Sequence, residues 1–337
     1  MSFVGARKDT NSQFGEGCGQ LRTADGASVI IVDMPARLPL PPELVDEPFS
    51  VRLADELGVG KRRLRGRDLV TPYRGLRTVL PAPMSVIDLS RAYAARMPAT
   101  HVFSHGTAGV LHGMPLPARL QLDRRLHVTV PAENRPPQMA GIVGHELRTS
   151  LMDVELLEQL PVTSRLQTWI DLGPLLHLGE LVAVADFLCA GSHPRYTPED
   201  LRAAAAGLVG RRGCRALREA AVLARARVDS PKETEVRLLL RGSGLPEPVV
   251  NFQVTDAAGR IIARVDLSWP QFRVCIEYEG DIHRTDRQRF RSDITRRERI
   301  EDAGWRVIRI TDDDLTDGGR DLLRRVRATL TARGWRG

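Results

Sequence analysis

Two short stretches near the C-terminus decide the fold: residues 264–269 (RVDLSW) and residues 272–279 (FRVCIEYE). Both have the composition of β-strands, in which successive side chains point to opposite faces of a sheet. That alternation puts Glu277 and Glu279 on one face, and Asp266 lies in the neighbouring stretch. We therefore expect a small mixed sheet that carries a group of carboxylates.

Helices and further strands flank these two stretches. Ser230 and Pro231 begin a helix with a capping serine and a proline in the first turn, and this helix carries Glu233 and Glu235. The predicted order of elements in residues 228–337 is α-β-β-β-α-β-α. The remaining elements are a strand, an arginine-dense helix, a strand and a last helix, at residues 249–255, about 286–303, 305–311 and about 313–332.

Carboxylates beside arginines suit the metal-dependent cleavage of nucleic acid. Hard divalent cations take oxygen ligands, and a bound metal stabilises charge on a phosphodiester and generates hydroxide. If Asp266 shares the face of Glu277 and Glu279, three carboxyl groups converge, which is costly unless a cation intervenes. The alternative from spacing alone is an open, solvated sheet face, with the arginine run at 287–291 on a solvated helix face.

Composition bounds the class of protein. The 337 residues suffice for two or three domains, and the net charge of +7 favours a polyanionic partner. The four cysteines lie far apart, with neither the spacing of a zinc site nor a disulfide framework. Because residues 1–26 are polar and glycine-rich and no apolar run has membrane-spanning length, we expect neither a signal peptide nor a membrane span. We expect a cytoplasmic protein with no membrane partner.

Residues 48–80 have the pattern of a small DNA-binding unit. A short helix at 51–58 ends at a glycine, a basic second helix follows, and residues 73–79 form a hairpin or wing. This is a winged helix-turn-helix arrangement, whose recognition helix would lie in a major groove. The alternative is an ordinary basic surface helix. The expected DNA-contacting residues are Lys61, Arg62, Arg63 and Arg65.

The rest of the chain is divided into a leader and a middle region. Residues 1–47 have the composition of a poorly ordered leader. Residues 81–227 are mixed at first and then helical, and we assign no chemistry to their helices. Three histidines fall between residues 99 and 116, but no pair has the helical spacing of a zinc site with a third ligand nearby. We interpret these as structural: His101, His105 and His112.

The C-terminal sequence resembles a family of domains of unknown function that is related to very-short-patch repair endonucleases, in the PD-(D/E)XK superfamily. The resemblance covers nearly all of residues 228–315 and implies a restriction-endonuclease-like αβββαβ core within an α/β (α+β) protein. It rests on SPKE at 230–233, RVDL at 264–267, EYEGDIHR at 277–284 and GWRV at 304–307, with Phe290, Asp293 and Arg296.

A second resemblance extends toward the N-terminus. VFSHGTA at 102–108, LHGMPL at 111–116 and LHVTVP at 126–131 look like actinobacterial proteins in which an AbiEi-antitoxin-like N-terminal region is joined to this nuclease-like domain. Together the two resemblances span about 48–315. They imply DNA as a partner, and a homodimer and a toxin or defence-system partner stay open as alternatives.

The nuclease resemblance implies a set of site residues. In the superfamily, a helix glutamate, a strand aspartate and a strand E-x-K pair bind Mg²⁺ around the scissile phosphate. By position these are Glu233, Asp266 and Glu277, with Glu235 as the competing helix residue. This chain departs from the pattern because Glu279 replaces the lysine. His283 is the candidate for part of the lysine's role, as an acid/base group near neutrality; the alternative is a loop histidine that caps the next helix.

We therefore expect a DNA endonuclease that depends on Mg²⁺ or Mn²⁺. Asp266 and Glu277 are the expected metal ligands, and the expected catalytic set adds Glu233, Glu279 and His283. The alternative is a DNA-binding regulator or antitoxin-like protein that keeps a weak or inactive nuclease fold as a scaffold. Further phosphate contacts are expected from Arg284, Arg287 and Arg296.

Overall fold

The protein has a mixed α+β fold. The described strands form a five-stranded sheet, a four-stranded sheet and two two-stranded ladders. No helix in the part of the chain that is described is long and apolar enough to cross a membrane. The computed structural model describes residues 18–22, 28–32, 38–79, 84–279 and 287–337, with side chains for residues 38–79, 84–279 and 295–337.

The N-terminal elements are β1 (Cys18–Arg22), β2 (Ser28–Val32), β3 (Phe49–Ser50), α1 (Val51–Glu56) and β4 (Leu76–Arg77). β1 pairs with β2 and β3 pairs with β4, both antiparallel. Leu44 is fully buried in a cluster with Phe49 and Ala54, so the folded chain begins before the expected boundary at residue 48.

The expected basic second helix is a single 3-10 turn, Arg63–Arg65. Glycines at positions 60 and 66 bracket this segment, and glycine disfavours a helix interior. The side chain of Arg63 also turns back, since its Nε donates to the carbonyl of Leu38 at 2.6 Å. A recognition helix of normal length is therefore missing from the expected winged helix-turn-helix.

The central region builds the five-stranded sheet, in the order β7-β6-β5-β9-β8. Its elements are α2 (Val86–Ala94), β5 (Val102–Phe103), α3 (His105–Leu111), α4 (Ala118–Gln121), β6 (Leu126–Pro131), β7 (Ile142–Leu147), β8 (Val154–Leu157) and β9 (Leu160–Thr163). The helix and the two strands expected around α2, β6 and β7 are confirmed. Tyr73 and Leu76 pack in the same core as Leu126 and Val128, so the small N-terminal unit shares this sheet's core.

A helical layer follows, built around the buried side chains of Trp169, Leu181, Leu201 and Leu217. Its helices are α5 (Arg165–Leu172), α6 (Leu178–Leu188), α7 (Pro198–Ala206) and α8 (Cys214–Leu223). Apolar residues on the inner side of each helix form one continuous core, as the alanine-rich sequence of this region predicts.

The C-terminal elements are α9 (Pro231–Gly242), β10 (Val249–Thr255), β11 (Ile261–Trp269), β12 (Val274–Tyr278), α10 (Arg287–Asp302), β13 (Arg306–Ile310) and α11 (Arg320–Ala332). The predicted α-β-β-β-α-β-α order is confirmed. The sheet has the order β10-β11-β12-β13, antiparallel except for the parallel pair β12–β13. The last helix starts later than expected because the chain breaks at Asp317, where φ is +53°.

A buried ion pair joins α9 to the helical layer. Arg237 is fully buried, and its Nη2 lies 2.7 Å from Oδ2 of Asp186 on α6. Thr234 donates to the same carboxylate oxygen at 2.8 Å, and Arg237 Nη1 donates to the carbonyl of Leu223 at 2.9 Å. The expected domain boundary between residues 227 and 228 thus separates two parts that share this network.

Candidate active site

The strand that carries Asp266 changes faces at that residue. Val265 packs with Cys275 on the side of α10, whereas Leu267 packs with Ile276 on the opposite side. Residues two apart share a face in a regular strand, so β11 turns over around Asp266. Such local irregularities re-aim side chains and are common beside active sites.

The partner strand is irregular at the facing position. The β10–β11 ladder skips Asn251, the residue that faces Asp266, and the φ of Asn251 is +50°. Asparagine tolerates this left-handed conformation better than most residues. Its side chain is anchored, because Nδ2 donates to the carbonyl of Arg227 at 2.5 Å and to Oε2 of Glu233 at 3.1 Å. The turn in both strands is therefore tied to the helix glutamate.

Asp266 and Glu277 face each other across two strands. The β11–β12 ladder pairs Leu267 with Ile276, and one further step brings Asp266 opposite Glu277. The ladder stops at this step, and Oδ2 of Asp266 accepts a hydrogen bond from the amide of Tyr278 at 2.9 Å.

Glu233 is the helix glutamate at this site. It is buried at the start of α9, where Ser230 caps its amide. Its Oε2 also accepts a hydrogen bond from the amide of Asp229 at 3.2 Å. Glu235, two residues further along, is exposed, and its carboxylate lies 3.0 Å from Nζ of Lys232. The competing helix residue therefore points away from the strand carboxylates.

Burial and like charge raise the pKa of all three carboxyl groups. Burial, reinforced by the charge of Asp266, raises the pKa of Glu233 to about 7. Burial also raises the pKa of Asp266 and of Glu277, and the charge of Asp266 adds to the rise at Glu277. The amide of Tyr278 and the charge of Arg296 oppose these rises. Ionising this group requires a compensating cation.

Arg296 supplies part of that positive charge. Its Nη2 lies 2.6 Å from Oε1 of Glu277 and donates to the carbonyl of Arg264 at 2.6 Å. The approach to Glu277 is not aligned for a hydrogen bond. Oε1 of Glu277 is buried and receives no hydrogen bond from any residue with a described side chain. An expected phosphate contact therefore lies against an expected metal ligand.

Glu279 is held in ion pairs. Both Nε and Nη2 of Arg309 bind its carboxylate, and Nη2 of Arg297 lies 3.4 Å from its Oε1. Arg309 stands beside Glu277 in the parallel register of β12 and β13. Glu279 is therefore an acid that two arginines neutralise, at the position where the resemblance predicts a lysine.

Three other expected site residues cannot be placed against these carboxylates. His283 and Arg284 lie outside the described residues. Arg287 is the first residue of α10, but its side chain is outside the described set. Their expected roles stay predictions.

The four basic residues at positions 61–63 and 65 differ in their exposure to solvent. Lys61, Arg62 and Arg65 are exposed. Arg63 is largely buried, and its Nη2 lies 2.7 Å from Oδ2 of Asp68. Three of the four expected DNA contacts therefore face solvent, and the fourth is engaged within the protein.

A group of histidines lies far from the carboxylates in the sequence. His105, His127 and His145 bring one potential ligand atom each to within 4.8 Å of one another. Across the described side chains, this is the only such set of three from histidine, cysteine, aspartate and glutamate, so Glu233, Asp266 and Glu277 do not form one. Sequence reasoning treated His105 as structural. The missing signal was the pairing of β6 with β7, which no local spacing reveals.

Comparison with known proteins gives two distant relatives. Uncharacterized protein MT2308 and uncharacterized protein Rv2248, from two strains of Mycobacterium tuberculosis, are each 27% identical to this chain over 213 residues, which cover 62% of this chain and 74% of theirs. No family model matches the chain, and no solved structure matches it.

Proposed function

We propose that this protein is a Mg²⁺-dependent DNA endonuclease whose metal site is formed by Asp266 and Glu277. The observation that carries the proposal is that Asp266 and Glu277 take facing positions on neighbouring strands just beyond the end of the β11–β12 ladder, with Glu233 close enough to be influenced by the charge of Asp266. The resemblance of residues 228–315 to the repair-endonuclease relatives supports the same assignment. DNA is the proposed partner and the cytoplasm the proposed compartment.

The donor set fits Mg²⁺. This ion is commonly bound by one or two carboxylates and keeps several waters, and Asp266 and Glu277 offer two. The buried Oε1 of Glu277, which receives no hydrogen bond from a described residue, suits a cation. When bound, the metal would polarise the phosphate and lower the pKa of a bound water.

Glu233 holds or accepts a proton beside these ligands. Its pKa of about 7 places its ionisation close to neutrality, which is the range that favours a general base. The hydrogen bonds from Asp229 and Asn251 fix its Oε2. One carboxylate oxygen therefore remains to orient a water.

Arg296 has two roles in this proposal. Against Glu277 it compensates a buried carboxylate in the free protein. With a cation at Glu277, the guanidinium would be free to bind a phosphate oxygen, for which its planar fork is suited. Lys61, Arg62 and Arg65 supply a second, exposed contact with the DNA backbone.

A second candidate function is a DNA-binding regulator with an inactive nuclease fold. The observation that favours it is the set of arginines at the carboxylates. Arg296 lies on Glu277, and Arg297 and Arg309 lie on Glu279. Positive charge is thus supplied by the protein itself, at the place where an active site needs a metal and a free lysine.

Cleavage of DNA decides between the two functions. Supercoiled, linear, single-stranded and mismatched DNA are incubated with the protein in Mg²⁺, Mn²⁺ or Ca²⁺. We expect nicking or cutting with Mg²⁺ and Mn²⁺, and little with Ca²⁺, whose looser ligand geometry makes it a weaker activator of water. Asp266→Asn and Glu277→Gln should each lower the cleavage rate by orders of magnitude, whereas Glu298→Gln, on the exposed side of α10, should leave it unchanged.

Two results would contradict the proposal that the protein is a nuclease. One is the absence of cleavage of every substrate in every metal, together with retained duplex binding, which supports the regulator. The other is equal activity in the wild type and in Asp266→Asn, which indicates a contaminating enzyme.

A further inference from the structure

The three histidines of the central sheet are brought together by its strand register. β6 and β7 run parallel, with His145 opposite Thr129. Since His127 lies two residues before Thr129, it shares the face of His145. His105 is the first residue of α3. On the same helix, the hydroxyl of Thr107 accepts a hydrogen bond from the amide of His127 at 2.8 Å. The helix start is therefore fixed over these strands.

The rings are close and nearly parallel. The ring centroids of His105 and His145 are 3.7 Å apart at 15°, and those of His127 and His145 are 5.1 Å apart at 13°. Nδ1 of His127 lies 2.9 Å from Nε2 of His145. Two nitrogens on a tetrahedral zinc ion are about 3.3 Å apart when each bond is 2.0–2.1 Å long, so this pair already has nearly the spacing of two zinc ligands.

Much of the bonding capacity of these rings is unused. Each neutral imidazole has one donor and one acceptor nitrogen. Apart from the contact between His127 and His145, only Nδ1 of His105 has a partner, the hydroxyl of Ser104 at 2.9 Å. No other hydrogen bond from a described residue reaches these three rings. Three ring nitrogens are thus left to water or to a ligand.

The surroundings keep the histidines uncharged and His105 in a strained position. Burial lowers the pKa of His145 to about 4, with a contribution from His127, and burial also lowers the pKa of His127. The φ of His105 is +49°, a left-handed conformation that costs on the order of 1 kcal/mol or more for a residue other than glycine and that clusters at ligand-binding positions. Neutral imidazole is the form that binds metal.

We propose that His105, His127 and His145 form a binding site for a divalent transition ion of the zinc class. Imidazole nitrogens suit Zn²⁺, whereas Mg²⁺ and Ca²⁺ prefer oxygen, so this site is distinct from the carboxylates of the C-terminal sheet. Three protein ligands leave a fourth position for water, the arrangement of open zinc sites.

Binding requires two local changes. The rings fan apart from their stack so that three lone pairs point to one place. The proton in the contact between His127 and His145 moves to an outer nitrogen, Nε2 of His127 or Nδ1 of His145, because each ring keeps one proton. Nearby charge is nearly balanced: Arg211, whose charge reaches His105, pairs with Asp171, and Asp123 lies near His127 with Arg125.

Calorimetric titration of the full chain with Zn²⁺ tests the site. We expect one high-affinity Zn²⁺ per chain. His145→Gln, on the edge strand β7, should weaken it by more than about 100-fold, since the loss of mere outer-shell partners costs 10–100-fold. His105→Gln should do the same. His193→Gln changes an exposed histidine and should leave Zn²⁺ binding unchanged, as should Asp266→Asn.

Two further measurements separate ligation from misfolding. Thermal unfolding without metal should be nearly equal for the wild type and His145→Gln. Co²⁺ should give the visible absorption bands of a tetrahedral nitrogen site in the wild type and lose them in His145→Gln. The proposal is overturned if no stoichiometric Zn²⁺ binds, if binding survives the changes at His105 and His145, or if binding is lost in Asp266→Asn instead.

Discussion

The carboxylates of the C-terminal sheet and the histidines of the central sheet respond to burial in opposite ways. Burial raises the pKa of Glu233, Asp266 and Glu277, and it lowers the pKa of His127 and His145. In both regions burial disfavours the charged form. A carboxyl group binds metal in its charged form, so a cation at the acids must displace protons or arginines. For the histidines the neutral form is already the ligand.

The largest expected effect is that a substitution at one site abolishes the function of that site and leaves the function of the other site intact. Asp266→Asn should lower Mg²⁺-dependent cleavage by about 1,000-fold, on the order of 4 kcal/mol of barrier, and leave Zn²⁺ binding intact. His145→Gln should do the reverse. Cleavage rates and Zn²⁺ titrations on both variants check this. Loss of both properties in either variant would show that the two regions act as one site.

Glu233 should make stability depend on pH. Its pKa rises from 4.5 to about 7 on folding, so the folded state holds a proton that the unfolded state has released. Its contribution is fully present below pH 4.5 and is lost as the pH rises to about 7, by up to about 3 kcal/mol. Denaturant unfolding from pH 4 to 8 measures this slope.

Two variants and one ion sharpen that measurement. Glu233→Gln should remove the share of the slope due to Glu233, and the exposed Glu235→Gln should keep it. Saturating Mg²⁺ should also flatten the slope, because the cation stabilises ionised carboxylates. A wild-type slope that Glu233→Gln leaves unchanged would assign the proton to another group.

Zinc should stabilise the protein through the histidines alone. At a free concentration 100 times its Kd, a ligand that binds only the folded state adds about 2.7 kcal/mol. We expect a gain of this size with Zn²⁺ in the wild type and in Glu277→Gln, and none in His127→Gln. Calorimetric melting at fixed Zn²⁺ checks it. Equal stabilisation by Mg²⁺ and Zn²⁺ would contradict the distinction between nitrogen and oxygen sites.

The basic segment near the N-terminus should give the smallest effect. Changing Lys61 and Arg62 together to alanine should weaken duplex binding and lower the salt slope by about two, since each phosphate contact contributes about one. Arg63→Ala should leave the slope unchanged and instead cost up to about 1 kcal/mol of stability, because Arg63 is engaged with Asp68 and Leu38. Binding measured at several salt concentrations distinguishes the two.

The sequence predicted the C-terminal fold well because its signals are local. Strand patterns and the Ser230 cap predict the element order, and alternation predicts the common face of Glu277 and Glu279. The turn of β11 at Asp266 was not predictable, because it depends on the positive φ of Asn251 and on the anchoring of that side chain by Glu233. The lesson is that residue type can suggest candidate ligands, whereas the backbone irregularity that orients them is not visible in the sequence.

The histidine site was missed for the opposite reason. His105, His127 and His145 are spread over 41 residues and belong to three elements, so no helical or strand spacing connects them. Only the parallel register of β6 and β7 and the docking of α3 bring them together. Similarly, the arginines on Glu277 and Glu279 come from α10 and β13, and no local pattern predicts these ion pairs.

The buried ion pair of Arg237 and Asp186 limits where the chain can be truncated. α9 carries Glu233 at its start, and one helical turn later it carries the arginine that the helical layer neutralises. A fragment cut at residue 228 would expose Arg237 without its partner, together with Leu238, which packs against that layer. Removing one partner of a buried pair costs about 3–5 kcal/mol. The smallest fragment suited to studying the carboxylate chemistry therefore begins no later than α5.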